Sequence, residues 1–426
     1  MDSPVRLTAS LVSRWGDDPW ARGSWSLIGR GGSPGDRVAL TAPVGGRLRI
    51  AGEATHPTRA GMTHGAYEQG VAAAAWAVEA GHRRVAVVGA GMAGLGAARA
   101  LAGRDSAGEG CSVEVWEARE RVGGRTYGVD LDGFTFDLGA NWLQQYDDNV
   151  LARLAEELGL TVVATDFGDP LVLGAGSGGG GGRAAAGGVR EMGLERELRA
   201  RLDRAEPRAA IADVIEAWLP EPGEFTAEEI RRYVDAEIVM DSGAPLSWLS
   251  ARYGFEPGVG EGDRWIAGSY RLIVEHLASG LDVRLGRPVR RITVRDDGVT
   301  LAGDGFSATA DAVIVTVPLP VLREIDFEPA LPPAHAAALG RLGAGRVEKV
   351  VLRFDRRFWP AHPAGYYRVA GPEANCVSEW LDATEADGVP TLVGLFAGPW
   401  LETLWAGTDE EVAARTAAVF REAAGA

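Results

Sequence analysis

Apolar positions in this chain fall into short runs suited to buried strands, separated by stretches with helical spacing. The clearest run is Val85–Gly89, almost continuously apolar and valine-rich, as in a strand covered on both faces. Gly89, Gly91 and Gly94 follow as G-x-G-x-x-G, and an Ala/Leu-rich segment of helical propensity continues to Leu101. Ser112–Trp116 (SVEVW) reads as a second strand closed by Glu117. Asp311–Val317 (DAVIVTV) reads as another, ended by Pro318, and Val289–Leu301 alternates like a hairpin. Helical spacing marks Val150–Leu158, stopping at Gly159, then Glu191–Trp218 and Thr226–Val239. In the last of these, Thr226 and Glu229 have capping-box spacing. Ala175–Gly188, glycine- and alanine-rich, is expected to be a mobile loop. Strands with interleaved helices indicate an α/β fold.

The glycine hexad has a mechanical reading. Its three glycines allow a tight turn, close backbone approach to a pyrophosphate, and close helix–strand packing. The helix start then offers free N–H groups and a positive dipole end to phosphate. In a chain with 59 glycines the hexad alone is weak evidence. The motif needs a second strand and then an acid, and both are present. The step from Gly89 to Glu117 exceeds the usual roughly 20 residues, and a loop insertion at Gly103–Gly110 is expected to account for the excess. A carboxylate at Glu117 would accept from both ribose hydroxyls of an adenosine and repel a 2′-phosphate.

Composition narrows the classes. The 426 residues point to two or three domains. With 46% hydrophobic and 24% charged residues the balance is that of a soluble globular protein. A net charge of −16 argues against nucleic acid as a partner, and no apolar run is long enough for a membrane span. Cys111 and Cys376 give neither a disulfide framework nor metal spacing, and no secretory leader is apparent. A cytoplasmic setting without a metal is therefore expected.

The segments Glu117–Thr126 (EARERVGGRT) and Phe136–Leu143 (FDLGANWL) turn the expected dinucleotide into a flavin. Here the chain resembles the flavin-containing amine oxidases, a family that includes monoamine oxidases, polyamine oxidases and lysine-specific histone demethylases. The resemblance implies a Rossmann-like FAD-binding domain with an inserted mixed α+β substrate domain. The FAD-binding part is expected at 1–145 and 256–320, the substrate part at 146–255 and 321–426. Gly89, Gly91, Ala93, Gly94 and Gly124 would lie on the cofactor, with Glu117 at the ribose and Arg119 and Arg125 at the pyrophosphate. For these two arginines a solvated charge cluster with Glu120 is the competing reading. The resemblance puts Ala140, Asn141 and Trp142 along the isoalloxazine and Val289 at the adenine. It also takes Trp265–Leu277 as the helix that returns the chain to the FAD-binding part.

Lys349, in Arg346–Trp359 (RVEKVVLRFDRRFW), matches the family's lysine that reaches flavin N5 through a water; an exposed strand lysine is the alternative.

Ser13–Ser26 and Val44–Gly70 resemble segments that stand at the C-terminal end in this family, yet here they precede the dinucleotide fold. A circularly permuted order is therefore expected, with 1–80 as the relocated part. Within it Glu53 is implied near the ribityl and phosphate, and Met62, Thr63 and His64 at a helix start facing the flavin. Trp25 and Met62 occupy the positions of the family's two aromatic rings. His64 suits a packing or hydrogen-bonding role better than a catalytic one. Ser24 stands where some relatives carry a flavin-linking cysteine, so FAD is expected to be noncovalent.

The implied activity is oxidation of a C–N bond in a small-molecule amine or amide. It would proceed by hydride transfer to flavin N5, giving an imine, with dioxygen reduced to hydrogen peroxide. Similarity to antibiotic-pathway amine and amide oxidases suggests secondary metabolism. A flavin-dependent desaturase and a non-catalytic flavin-binding interaction protein are the alternatives, and the sequence leaves the oligomeric state open.

Overall fold

Five parallel strands form the sheet around which the chain is built. In spatial order they are Val283–Arg284, Ser112–Trp116, Arg84–Val88, Ala312–Val315 and Leu48–Ile50. The description comes from a computed structural model and covers residues 5–106, 111–167, 169–174, 189–256, 262–371 and 376–426. The expected loop at Ala175–Gly188 lies outside the described residues. Val85–Val88 is buried throughout because the sheet is covered on both faces, as its unbroken apolar pattern requires.

On one face lie the helices Thr63–Glu79, Met92–Ser106, Val150–Glu157 and Arg271–Ala278, which share one core with Val85, Val87 and Ile314. The first two pack very closely. A Cβ on Gly70 would stand 1.9 Å from the Ala93 carbonyl, so only glycine fits there. On the other face, Ala86, Val88, Val313 and Val315 meet a smaller sheet ordered Phe306–Ala310, Gly298–Gly303, Val289–Arg295, Asp326–Glu328.

A second large sheet runs in the order Leu7–Val12, Val347–Phe354, Thr391–Ala397, Val377–Asp382, Tyr366–Ala370, Leu171–Gly174. It is antiparallel except at the last pair. Its outer face is covered by the helix Asp409–Ala424, whose Val412, Ala413, Ala417 and Phe420 pack on Val350, Leu352 and Trp380. That helix begins with a reciprocal Thr408–Glu411 cap and ends at Gly425 in the left-handed region, φ 72°. Leu7–Val12 thus extends the second sheet, while Leu48–Ile50 and the helix Thr63–Glu79 complete the first fold.

The helices Val189–Asp203, Ile211–Trp218 and Ala227–Val234 form a third group around Leu198, Ile215, Trp218 and Ile230. The capping box expected at Thr226 and Glu229 is present.

Two expectations are corrected. The helix expected from Trp265 begins at Arg271 instead, because Arg264–Ile266 is a strand pairing with Trp142–Leu143 and Val162–Ala164. The expected insertion from Gly103 starts as helix, since Met92–Ser106 is helical throughout and takes up part of the extra length before Glu117.

Candidate active site

One cavity of about 1110 Å³ extends from the carboxyl ends of the parallel strands to the inner face of the antiparallel sheet. This is the place an open α/β sheet offers a ligand. At one end Gly89 (φ 102°) turns the chain into the helix Met92–Ser106. A Cβ on Gly94 would lie 1.8 Å from the Gly89 carbonyl, so this glycine allows the helix to start tight against the strand. Gly91 is different: a Cβ there would find no protein atom closer than 4.0 Å, leaving the approach open.

Glu117 is buried on the cavity wall and braces this turn. Its carboxylate accepts from Ala90 N at 2.7 Å and Arg119 N at 2.8 Å. Burial pushes its carboxyl above the usual carboxylate range. The charge expected for ribose recognition is therefore also a structural tie.

Arg119 is not a solvated surface charge. Its Nη1 donates to Asp18 at 2.6 Å and its Nη2 is buried with no hydrogen-bond partner among the described residues. Arg125 bridges Ser24 O at 2.8 Å and Glu53 Oε1 at 3.1 Å. Burial alone would raise Glu53, but Arg125, Ser26 Oγ, Arg37 and the Gly61 N–H outweigh it and hold the carboxyl below its ordinary value. Ala93, Gly124 and Val289 complete this part of the wall.

Farther along, Ala140, Asn141 and Trp142 line the cavity beside Lys349. Lys349 is buried, and its Nζ donates to Gly139 O at 2.5 Å, Asn141 Oδ1 at 2.7 Å and Asp137 O at 3.1 Å. It also stands 5.5 Å from the Trp142 ring centre. It is neither an exposed strand lysine nor a free one. Trp142 is oriented by its own bond to Thr165 Oγ1 at 3.1 Å.

Trp25 and Met62 are on the wall as expected, with Trp25 Nε1 donating to Asp241 O at 2.8 Å. Thr63 also lines it and meets the Tyr270 hydroxyl at 2.7 Å. Ser24 is held by the Val347 backbone, its Oγ donating to the carbonyl at 2.6 Å. His64 does not reach the cavity. It is fully buried between Gln145 Oε1 (3.2 Å) and Asn149 Nδ2 (3.3 Å), and burial depresses its basicity, so the structure gives it a packing and hydrogen-bonding position rather than a catalytic one.

The sequence reading missed the wall opposite the dinucleotide end. Across the second sheet, Lys349, Leu395, Glu379 and Arg368 stand in register on neighbouring strands, and all four line the cavity. Arg368 pairs with Glu237 at 2.9 Å and Glu379 at 3.2 Å. Glu191, Glu195, Asp241 and Arg199 add to this wall, with Phe167, Tyr366 and Met240 between them. Charged residues set within otherwise apolar strands, as in YYRVA, VSEWLD and VEKVVL, were the available signal.

Among the described residues no group of side chains could hold a metal, and no helix is long and apolar enough to cross a membrane.

A glycine turn at a helix start, an acid closing the next strand and a long cavity define a dinucleotide-dependent oxidoreductase. The chain matches flavin containing amine oxidoreductase over residues 2–77 and 234–426, and an NAD(P)-binding Rossmann-like domain over 87–158. It belongs to the flavin-containing amine oxidase family, FAD-dependent oxidoreductases. Polyamine oxidase 4 of Oryza sativa subsp. japonica is 31% identical over 366 residues, 77% of this chain and 70% of that protein. Polyamine oxidase 2 of Arabidopsis thaliana is 31% identical over 350 residues, with 77% and 70% covered. The cyclohexylamine oxidase structure from Brevibacterium oxydans IH-35A superposes with a TM-score of 0.63 at 26% identity, covering 80% of this chain and 81% of that one.

The residues present fit FAD. The tight Gly89–Gly94 contact, the open approach at Gly91 and the unpartnered Arg119 Nη2 are what a pyrophosphate at this helix start needs.

Proposed function

We propose that this protein oxidises a small cationic amine to an imine, with dioxygen as electron acceptor, hydrogen peroxide as co-product and FAD bound noncovalently. The observation that carries the reading is one continuous cavity, which joins the glycine turn to Lys349 and then to a wall where carboxylates outnumber cations. Bound FAD supplies the two-electron chemistry that converts the amine's α-C–H and N lone pair into C=N. The chain supplies position and field. Gly89, Gly91, Glu117, Arg119 and Arg125 would hold the dinucleotide end, and Lys349, Asn141, Trp142 and Met62 the redox end. Trp25, Tyr366 and Phe167 offer apolar and π surface to the substrate body, while Glu237, Glu379 and Asp241 favour a cation. A neutral amide gains nothing from that field, so the amine is preferred. Ser24 has no thiol and spends its hydroxyl on Val347, which supports noncovalent binding.

The test is a panel of primary amines, diamines and amides, read by peroxide formation and by anaerobic bleaching of the visible flavin band. Bleaching by amines with stoichiometric peroxide on readmitting air is expected. Bleaching by amides alone, desaturation of a ring without peroxide, or no bleaching by any compound would each overturn the reading. Acid precipitation should leave the yellow colour in the supernatant.

A further inference from the structure

The carboxylates on the cavity wall differ in how they are compensated. Glu53 has Arg125, Ser26 and Gly61, and Glu117 has two backbone N–H groups. Glu195 pairs with Arg199, Glu256 with Arg37, and both Glu237 and Glu379 with Arg368. Glu348 takes Ser13, Trp15 N and Gly16 N, and Asp166 and Glu191 also have partners. Asp241 is the exception. Among the described residues its carboxylate has neither a hydrogen bond nor an ion pair, although it lines the cavity.

Its placement is specific. A π-helical turn at Asp235–Val239 precedes it and left-handed Gly243 (φ 64°) follows it. A Cβ on Gly243 would lie 2.7 Å from Arg346 N, so this end of the helix is pinned. π turns of this kind re-aim side chains and are frequent at functional sites. The Asp241 carbonyl takes the indole N–H of Trp25, so backbone and ring are fixed together while the carboxylate remains unspent.

We infer that Asp241 accepts the proton of the substrate ammonium and so delivers the neutral amine that is oxidised. The inference rests on the amine oxidase reading above. In the step, one N–H bond of the ammonium breaks and one O–H bond forms on Asp241. The nitrogen regains its lone pair, and no electrons are exchanged with any acceptor.

The surroundings suit a base that works near neutrality. Burial, then Glu379, Glu256 and Glu237, pushes the Asp241 carboxyl up to about 7. Those three acids come from the strand Val377–Asp382, the segment after Ser250 and the helix that carries Asp241 itself. Arg368 stands between Glu237 and Glu379, and Arg37 holds Glu256. Arg346, whose N–H meets Gly243 O, is engaged by Glu348 and Asp17. Among the described residues no cation is left to neutralise Asp241 before substrate arrives, and the same desolvation makes an incoming ammonium easier to deprotonate.

The experiment is anaerobic stopped-flow reduction of the FAD-loaded enzyme by cyclohexylamine and by putrescine between pH 5.5 and 9.5. The wild-type rate constant should rise along a limb with an apparent pKa near 7. Asp241→Asn should retain FAD and its far-UV spectrum, lose that limb, and at pH 8 be slower by about tenfold or more. Asp241→Glu should restore the limb. Should the Asn variant not retain FAD, Asp241→Ser, the smaller neutral side chain, takes its place with the same expectation. An Asn or Ser variant that keeps the limb and reduces within about twofold of wild type overturns the inference alone. A wild type reduced by neither these two nor any other amine of the panel overturns the reading on which it rests, and the inference with it.

Discussion

Lys349 Nζ and Asn141 Oδ1 are 2.7 Å apart, so the strand Val347–Phe354 is tied directly to Leu138–Trp142, the stretch that forms the cavity floor. Gly139 O and Asp137 O take the ammonium's other two donors. Burial works against both ionised groups, lowering the basicity of Lys349 and raising the carboxyl of Asp137, while each favours the charge on the other. A water bridging Lys349 to a ligand must share one of these three bonds. The lysine is thus part of the floor's architecture as well as a charge on it.

Lys349→Met should therefore do two separable things. It strands three acceptors, and one unsatisfied buried polar group costs about 1–3 kcal/mol, so the melting temperature should fall measurably. If the charge also serves the chemistry, reduction or reoxidation should slow by about tenfold, equivalent to about 1.4 kcal/mol of barrier. Thermal melts and stopped-flow measurement of both half-reactions separate the effects. A lower melting temperature with both half-reactions within about twofold of wild type would make Lys349 purely structural.

The two neighbouring glycines should fail differently. Gly94→Ala drives a methyl to 1.8 Å from the Gly89 carbonyl, which only a shift of the helix can relieve. Loss of soluble protein or of cooperative melting is expected. Gly91→Ala meets no protein atom within 4.0 Å, so it should melt like wild-type apoprotein while binding FAD at least tenfold more weakly. The visible-to-ultraviolet absorbance ratio and circular dichroism check both. Equal FAD affinity in Gly91→Ala would remove the pyrophosphate from this turn.

The dinucleotide end was legible because its chemistry is local. A tight turn, an adjacent helix start and an acid at the next strand's end are all set by residues 84–117. The acid-lined wall was not, because it exists only once Lys349, Leu395, Glu379 and Arg368 are placed in register from separate strands. His64 lies away from the flavin-facing place that the resemblance implied, in the packing and hydrogen-bonding position its residue type suits. It sits next to two cavity residues in sequence, yet as part of the helix Thr63–Glu79 it points to Gln145 and Asn149 instead. The helix that the resemblance put from Trp265 starts later, because the strand-favouring Trp265 and Ile266 pair with Trp142–Leu143 and Val162–Ala164.

The proposed circular permutation has its own test. The helix Thr63–Glu79 enters the strand Arg84–Val88 through a short turn, and Arg421 Nη2 reaches Val5 O at 3.1 Å on the far side of the chain order. The helix Asp409–Ala424 also packs on the strand Leu7–Val12. A rearranged chain beginning at Arg84, running to Ala426 and continuing through a short Gly/Ser linker into residues 1–80 should fold and bind FAD with wild-type affinity. Insoluble or FAD-free protein from that order would defeat the proposal.

Asp263 carries a pH dependence whose sign can be worked out. It is fully buried; Oδ1 accepts from Gln145 N at 2.9 Å, and Oδ2 has no hydrogen-bond partner among the described residues. That bond holds Gln145 at φ 52°, a left-handed position uncommon for a non-glycine residue, from which its side chain reaches His64. Burial pushes the Asp263 carboxyl from 3.8 up to about 6. Between those values the folded protein binds more protons than the unfolded chain, so this group's contribution is fully present at low pH and is lost as pH rises through about 6. Asp263→Asn keeps an oxygen for Gln145 N and removes the titration. The difference in stability between variant and wild type should therefore move in the variant's favour by on the order of 2 kcal/mol from pH 4 to pH 7.5, then level off. Melting temperatures at matched FAD saturation across that range provide the check, because groups that titrate in both proteins cancel in the difference. Parallel curves would show that Asp263 keeps an ordinary carboxyl and that its unpartnered oxygen is reached by water.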